Sequence, residues 1–114
     1  MDDCIFCKIV SGAIPAAIIY ENDYVVAIDD IHPAAKVHAL IITKTHYCNI
    51  LELEPGDAGA LRGIHQAVRE ITRIKGVSES GFRVISNCGG DGGQSVPHLH
   101  YHVLGGQKLG DKIL

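Results

Sequence analysis

Three histidines at alternate positions, His98, His100 and His102, are the residues of this chain best placed to do chemistry. Leu99, Tyr101 and Val103 fill the gaps between them. In a β-strand successive side chains point to opposite faces, so the imidazoles would share one face at steps of ~7 Å while the apolar residues enter a core. A helix would scatter the same residues around its circumference. Imidazole changes charge near neutral pH, ligates metals and serves as a nucleophile, so three on one face imply a reactive or metal-binding site.

The segment before the triad strengthens that reading. Cys88-Gly89-Gly90-Asp91-Gly92-Gly93-Gln94 holds four glycines and is bordered by Asn87, Gln94 and Ser95. Glycines let backbone approach a ligand and turn N–H groups toward an anion, so a phosphate cradle is expected, with a flexible hairpin loop as the alternative. His38 is either a core histidine bonded to a carbonyl or a fourth imidazole facing the triad. Cys4-x-x-Cys7 has zinc-ligand spacing but supplies two of the usual four donors; His46 and His98 are available to complete the set, with Cys48 a rival to His46. His65, mid-helix, is expected to be structural, and His32 exposed.

The elements that must position these groups can be read from apolar patterning. Cys4–Gly12 is a short helix stopped by Gly12, with Ile5, Phe6 and Ile9 on its apolar side. Ala17–Tyr20 and Tyr24–Ile28 are two strands around the turn Glu21-Asn22-Asp23, and Val37–Thr43, apolar on both faces, is a central strand. Pro55 opens one long helix whose stripe is Leu61, Ile64, Val68 and Ile71, ended by Gly76. Phe82–Asn87 is a fourth strand and the histidine segment a fifth. The sum is one α+β domain over 1–114, a five-stranded, mostly antiparallel sheet with one long and one short helix.

Composition sets the outer limits. The chain has 114 residues, 46% of them hydrophobic and 20% charged, with net charge −3. That suits one soluble domain and gives no reason to expect attraction to nucleic acid or acidic membranes. No apolar run approaches the ~20 residues of a membrane span, and Met1-Asp2-Asp3 lacks the basic start of a secretory signal, so a cytoplasmic protein with reduced thiols is expected.

Taken together, the motifs resemble the histidine triad superfamily. His98-Leu99-His100-Tyr101-His102-Val103 is similar to its His-x-His-x-His-x signature. Asp91–Val96, Leu104-Gly105-Gly106, Ile5–Ile9 with Ile14-Pro15, Asp29-Asp30-Ile31-x-Pro33 and Lys44-Thr45-His46 resemble the Hint branch, the histidine triad nucleotide-binding proteins. The resemblance spans Cys4 to Gly106. It implies binding of a purine nucleoside monophosphate, AMP or GMP, and hydrolysis of its phosphoramidate or acyl-phosphate. His100 would be the nucleophile, with His102, Ser95 and Asn87 contacting the phosphate and leaving group beside Gly93 and Gln94, and His38 matching the family's fourth histidine. Asp30 would hold the ribose hydroxyls, and Ile5, Phe6, Ile9, Ile28, Ile31 and Leu40 the base. Structural zinc on Cys4, Cys7, His46 and His98, no catalytic metal, and a homodimer whose sheets run together are further implications. Pro97 departs from the usual aromatic, and the sequence has no tryptophan where better-known members carry a Trp- and Pro-containing tail; the resemblance therefore does not fix the leaving group. Other readings are a dinucleoside polyphosphate hydrolase, a non-catalytic nucleotide-binding scaffold, and a zinc hydrolase using all three triad histidines as ligands.

Overall fold

A computed structural model describes residues 3–112; Met1 and Asp2 of the acidic start lie outside the described residues. Helix α1 (Ile5–Ser11) is followed by β1 (Ile18–Glu21), β2 (Val25–Asp29), β3 (Val37–Thr43), a 3-10 turn (Ile50–Glu52), helix α2 (Ala58–Ile74), β4 (Phe82–Ile85) and β5 (His100–Gly105). The sheet order is β1-β2-β3-β5-β4. Every pairing is antiparallel, so the sheet is antiparallel throughout rather than mostly so.

Alternation along β2, β3 and β5 builds two cores. Val25, Ala27, Ala39, Ile41, Leu99 and Val103 face α2 and pack against Ala60, Ile64, Ala67 and Ile71. Val26, Ile28, Leu40 and Ile42 face the other way and pack against Phe6 of α1. β3 lies between β2 and β5, and its Ala39, Ile41 and Ile42 are fully buried, as expected for a strand apolar on both faces. Register then sets Leu40 opposite His102 and Ile42 opposite His100, which places both imidazoles on the α1 face.

Several element boundaries differ from the sequence expectations, each for a local reason. Cys4 is the N-cap of α1, its Sγ accepting the Cys7 N–H at 3.3 Å, and so precedes the helix. Pro55 lies outside α2: the Asp57 carboxylate takes the Glu54 N–H at 2.9 Å, which closes a turn and delays the helix to Ala58. Leu61 is 42% exposed, because the stripe that meets the sheet runs through the small residues Ala60, Gly63 and Ala67. His65 is exposed, which removes its structural role. The α2 C-terminus closes at Gly76 (φ 72°), with Val77 N–H on Thr72 O and Gly76 N–H on Arg73 O. β4 stops at Ile85, and β5 starts at His100, two residues after the first histidine. His98 and Leu99 leave the ladder because their N–H groups go to Val96 O (2.8 Å) and Tyr47 O (2.6 Å).

The β1–β2 turn is tied to α2. Asn22 Oδ1 accepts the Tyr24 and Val25 N–H groups, and its Nδ2 donates to Gly63 O at 2.9 Å. A Cβ on Gly63 would stand 2.8 Å from the Tyr24 Cβ. Alanine there would gain about 1 kcal/mol of helix propensity. Overpacking against an atom so near the backbone costs about 1–3 kcal/mol, and the helix has to shift to relieve it. Gly63→Ala is therefore expected to lower the urea midpoint; a midpoint equal to or above wild type would show that the helix gives way freely.

Candidate functional site

Hydrogen bonds to the main chain assign His100, His98 and His38 their tautomers, and His38 assigns that of His102. His100 Nδ1 lies 2.7 Å from His98 O, so it carries the proton and Nε2 keeps a lone pair. His98 Nε2 lies 2.7 Å from Thr43 O, which leaves the Nδ1 lone pair free. His38 Nδ1 accepts the Ala34 N–H at 2.9 Å, which puts its proton on Nε2. That Nε2–H is 2.8 Å from His102 Nδ1 and 3.3 Å from Asp30 Oδ2. His102 Nδ1 thus accepts, and its Nε2–H is left to donate. Asp30 is itself fixed, its Oδ1 taking the His32 N–H at 2.8 Å. The site therefore offers a lone pair on His100 beside a donor on His102, with the two rings 5.2 Å apart.

Burial keeps part of this set uncharged. His102 is pushed below the ordinary histidine pKa by desolvation first, then by His100 and His38, with Asp30 opposing. Desolvation also lowers His98. The Phe6 ring meets His100 edge-on at 4.9 Å and His98 at 5.9 Å, which closes the α1 side of both.

Phe6, which meets His100, and Asp30, which meets His38, open onto a cavity of about 480 Å³. Ile5, Phe6, Ile9, Ile28, Asp30, Ile31 and Leu40 all line it. So do Ile14, Pro15, Ala16, Ala17 and Asp29, none of which was expected in the base pocket. Its wall is almost wholly apolar, with the two carboxylates at one border. The glycine loop packs on itself: a Cβ on Gly92 would meet Cys88 O at 2.5 Å, and Gly93 has φ 76°. Ser95 is exposed and Asn87 half-buried at the ends of that loop. Gln94 is engaged on both sides of its amide: Oε1 accepts the Gly89 N–H at 2.9 Å, and Nε2 donates to Cys48 O (2.6 Å) and Val96 O (3.0 Å). Ser86 was not singled out by the sequence; its hydroxyl donates to His100 O at 3.0 Å, steadying the strand beneath the triad. A serine in a strand end carries no pattern that would have found it.

Cys4, Cys7, His46 and His98 converge, with one ligand atom from each within 4.8 Å of the others. Cys4 Sγ is 3.2 Å from His98 Nδ1, and Cys7 Sγ is 3.2 Å from His46 Nδ1 and 3.5 Å from His98 Nδ1. A tetrahedral zinc with ordinary bond lengths sets sulfur–nitrogen edges of roughly 3.5 Å, so the donor set fits that ion. Thr43 O supplies the outer contact that turns the His98 Nδ1 inward. Cys48 stands behind His46, 3.7 Å from its Nε2, and is an outer neighbour rather than the fourth donor. The Cys7 thiol is raised by burial and by Cys4, so metal uptake would release protons. His98 belongs to this cluster, whereas His102 groups with His38 and Asp30. His98 and His102 thus fall in separate clusters and His100 in neither, against a single metal held by all three.

The HIT domain profile matches residues 11–109 of the chain. Protein HitA of Neisseria gonorrhoeae is 41% identical over 105 residues, covering 92% of this chain and 97% of that protein. Among solved structures, a HIT family hydrolase from Clostridium thermocellum superposes with TM-score 0.94 at 47% identity, covering 100% of this chain and 99% of that one. A histidine triad protein from Clostridium difficile gives TM-score 0.92 at 44% identity, with 99% and 98% covered. The protein belongs to the HIT family.

The lowered pKa values of His98 and His102 fix the sign of a pH effect. The unfolded chain binds protons that the folded one resists, so stability is full above the ordinary histidine value of about 6.5 and falls below it. In chelator-treated protein the unfolding free energy from urea titrations is expected to fall between pH 7.5 and 5.5, by no more than about 1.4 kcal/mol per histidine per pH unit, and the urea midpoint falls with it. A midpoint constant over that range would contradict the buried neutral imidazoles.

Proposed function

We propose that this protein is a nucleotide hydrolase of the Hint branch, cleaving purine nucleoside phosphoramidates or acyl-nucleotides. The observation that carries the proposal is the 2.7 Å bond from His100 Nδ1–H to His98 O, which presents a neutral Nε2 lone pair beside an apolar cavity edged by Asp30. The cavity suits a purine ring, and Asp30 suits the ribose hydroxyls. The Gly89–Gly93 loop, with Asn87 and Ser95, suits the phosphate.

In the first step His100 Nε2 bonds to phosphorus as the bond to the amine or acyl oxygen breaks; an amine leaves with a proton taken from water, and a carboxylate leaves as the anion. The His102 Nε2–H donates to a phosphoryl oxygen, where negative charge develops. Water then attacks phosphorus and the histidyl bond breaks, releasing the nucleoside monophosphate. Zinc on Cys4, Cys7, His46 and His98 would be structural, tying α1 and its Phe6 to the triad segment. A homodimer through α2 and β4 is supported by the exposed edge strand, where Phe82 and Val84 are each about two-fifths uncovered, and by Leu61 and Ile74 on the helix. The similarity to a protein titled a HIT family hydrolase favours turnover over a purely binding role.

Adenosine 5′-phosphoramidate and diadenosine polyphosphates assayed side by side should show preference for the former; the reverse preference would place the protein among dinucleoside polyphosphate hydrolases. His100→Ala should lose at least about a thousand-fold in kcat. Acid-quenched wild-type protein should carry a nucleotidyl adduct on His100, and near-normal turnover by the variant would overturn the mechanism.

Asp30 is tested separately by Asp30→Asn, which keeps the side chain's shape while removing its charge. A charged hydrogen bond to the ribose is worth about 1.5–3 kcal/mol, so AMP binding should weaken roughly ten- to a hundred-fold in calorimetry. Unchanged affinity would remove Asp30 from the ribose site.

A further inference from the structure

We infer that Gln94 is a positioning residue that couples the Cys4-Cys7-His46-His98 metal centre to the glycine loop, so that metal and nucleotide reinforce one another's binding; this rests on the nucleotide-hydrolase reading above. The juxtaposition is specific. The Gln94 amide joins three chain segments at once. Its Nε2 donates to the carbonyl of Cys48, two residues after His46, and to the carbonyl of Val96, two residues before His98. Val96 O also accepts the His98 N–H at 2.8 Å. Its Oε1 accepts the N–H of Gly89, within the glycine loop, and its own N–H returns to Gly89 O at 3.1 Å.

Both donor hydrogens and the acceptor are therefore engaged with backbone, and what they hold are the two segments bearing the histidine ligands and the loop proposed for the phosphate. A metal ion that fixes His46 and His98 fixes the two carbonyls that orient the Gln94 amide. The oriented amide in turn fixes Gly89, and a loop already ordered loses less conformational entropy when an anion binds. Reciprocity follows from linkage: if zinc tightens nucleotide binding by some factor, nucleotide tightens zinc by the same factor. The family resemblance implies Gln94 among the substrate-binding residues; its side-chain amide also frames the loop.

The test is a linkage measurement without turnover, using AMP and Zn²⁺ on the full chain. Zinc affinity is read by chelator competition with and without AMP, and AMP affinity by calorimetry with and without zinc. Wild type should show matching factors of about five-fold or more. Gln94→Leu, which removes every side-chain bond, and Gln94→Glu, which keeps the Gly89 acceptor and loses both donors, should each reduce the factor below about two-fold. A second measurement does not depend on any variant or on nucleotide: the Gly89 amide resonance should shift when zinc is added to the metal-free wild-type protein. Zinc binding with no linkage and an unmoved Gly89 amide overturns the coupling while leaving the metal centre in place. Linkage that persists in both variants overturns the role of Gln94. Failure of AMP to bind, with the Gly89 shift present, overturns the nucleotide reading and spares the mechanical link. Failure of zinc to bind overturns the metal centre and the coupling with it.

Discussion

The bond from His100 Nδ1–H to the carbonyl of His98 sets what the rest of the site can do. An imidazole with its proton on Nδ1 has its only lone pair on Nε2, and a main-chain oxygen two residues away cannot rotate away as a side-chain acceptor could. That oxygen is held in place because His98 itself is anchored at both ring nitrogens, by Thr43 O on one side and the cysteine sulfurs on the other. The residue that braces His100 is therefore also a metal-ligand candidate. The structure needs His98 out of the β-ladder to achieve this, since a residue in regular register would commit its carbonyl to a neighbouring strand.

The sheet provides the frame on which that irregular piece hangs. β3 and β5 pair from Val37↔Gly105 to Ile42↔His100, and the pairing ends where the Tyr47 carbonyl takes over the Leu99 N–H. Leu40 and Ile42 lie beside His102 and His100, so the imidazoles are flanked by hydrocarbon on their own face and covered by Phe6. His38 enters from the same strand as Leu40, which brings its Nε2 to His102 without any loop having to close. Ala34 N–H then sets His38, and His38 sets His102, so a backbone amide outside the triad determines which nitrogen of the third histidine can donate.

Much of this was legible in the sequence. The alternation from His98 to Val103 announced the shared face, and Val37–Thr43 was read with its observed boundaries because a strand buried on both sides has no ambiguity of period. The six apolar residues expected around the base, and Asp30 beside them, were legible through their resemblance to a known family, and all of them line one cavity. Other features had no sequence signal. The early break of β5 depends on acceptors at Tyr47 and Val96 that only the fold brings near. The delayed start of α2 depends on a carboxylate competing for Glu54 N–H, which outweighs the preference of Pro55 for a first turn. Leu61 fitted a helical stripe by spacing, but the close approach of α2 to the sheet requires small residues, and Ala60, Gly63 and Ala67 rotate the buried face away from it. Choosing His46 over Cys48 turned on which of two nearby donors pointed inward, a matter of loop geometry.

Burial of the imidazoles has a consequence beyond stability. His38 Nε2–H points at His102 Nδ1 across 2.8 Å, an arrangement that requires a lone pair on the second ring. Were His102 charged, two N–H groups would face one another at that distance and the pair would separate. Desolvation disfavours that charged form, and the neighbouring His100 and His38 act in the same direction against the single opposing carboxylate of Asp30. Leu40 stands opposite His102 in the β3–β5 ladder, so its hydrocarbon contributes to the desolvation that disfavours a charged His102, while Phe6 covers His100 and His98. Helix α1 supplies that cover. The segment carrying Phe6 begins at Cys4 and contains Cys7, so whatever fixes those two sulfurs fixes the lid over the triad.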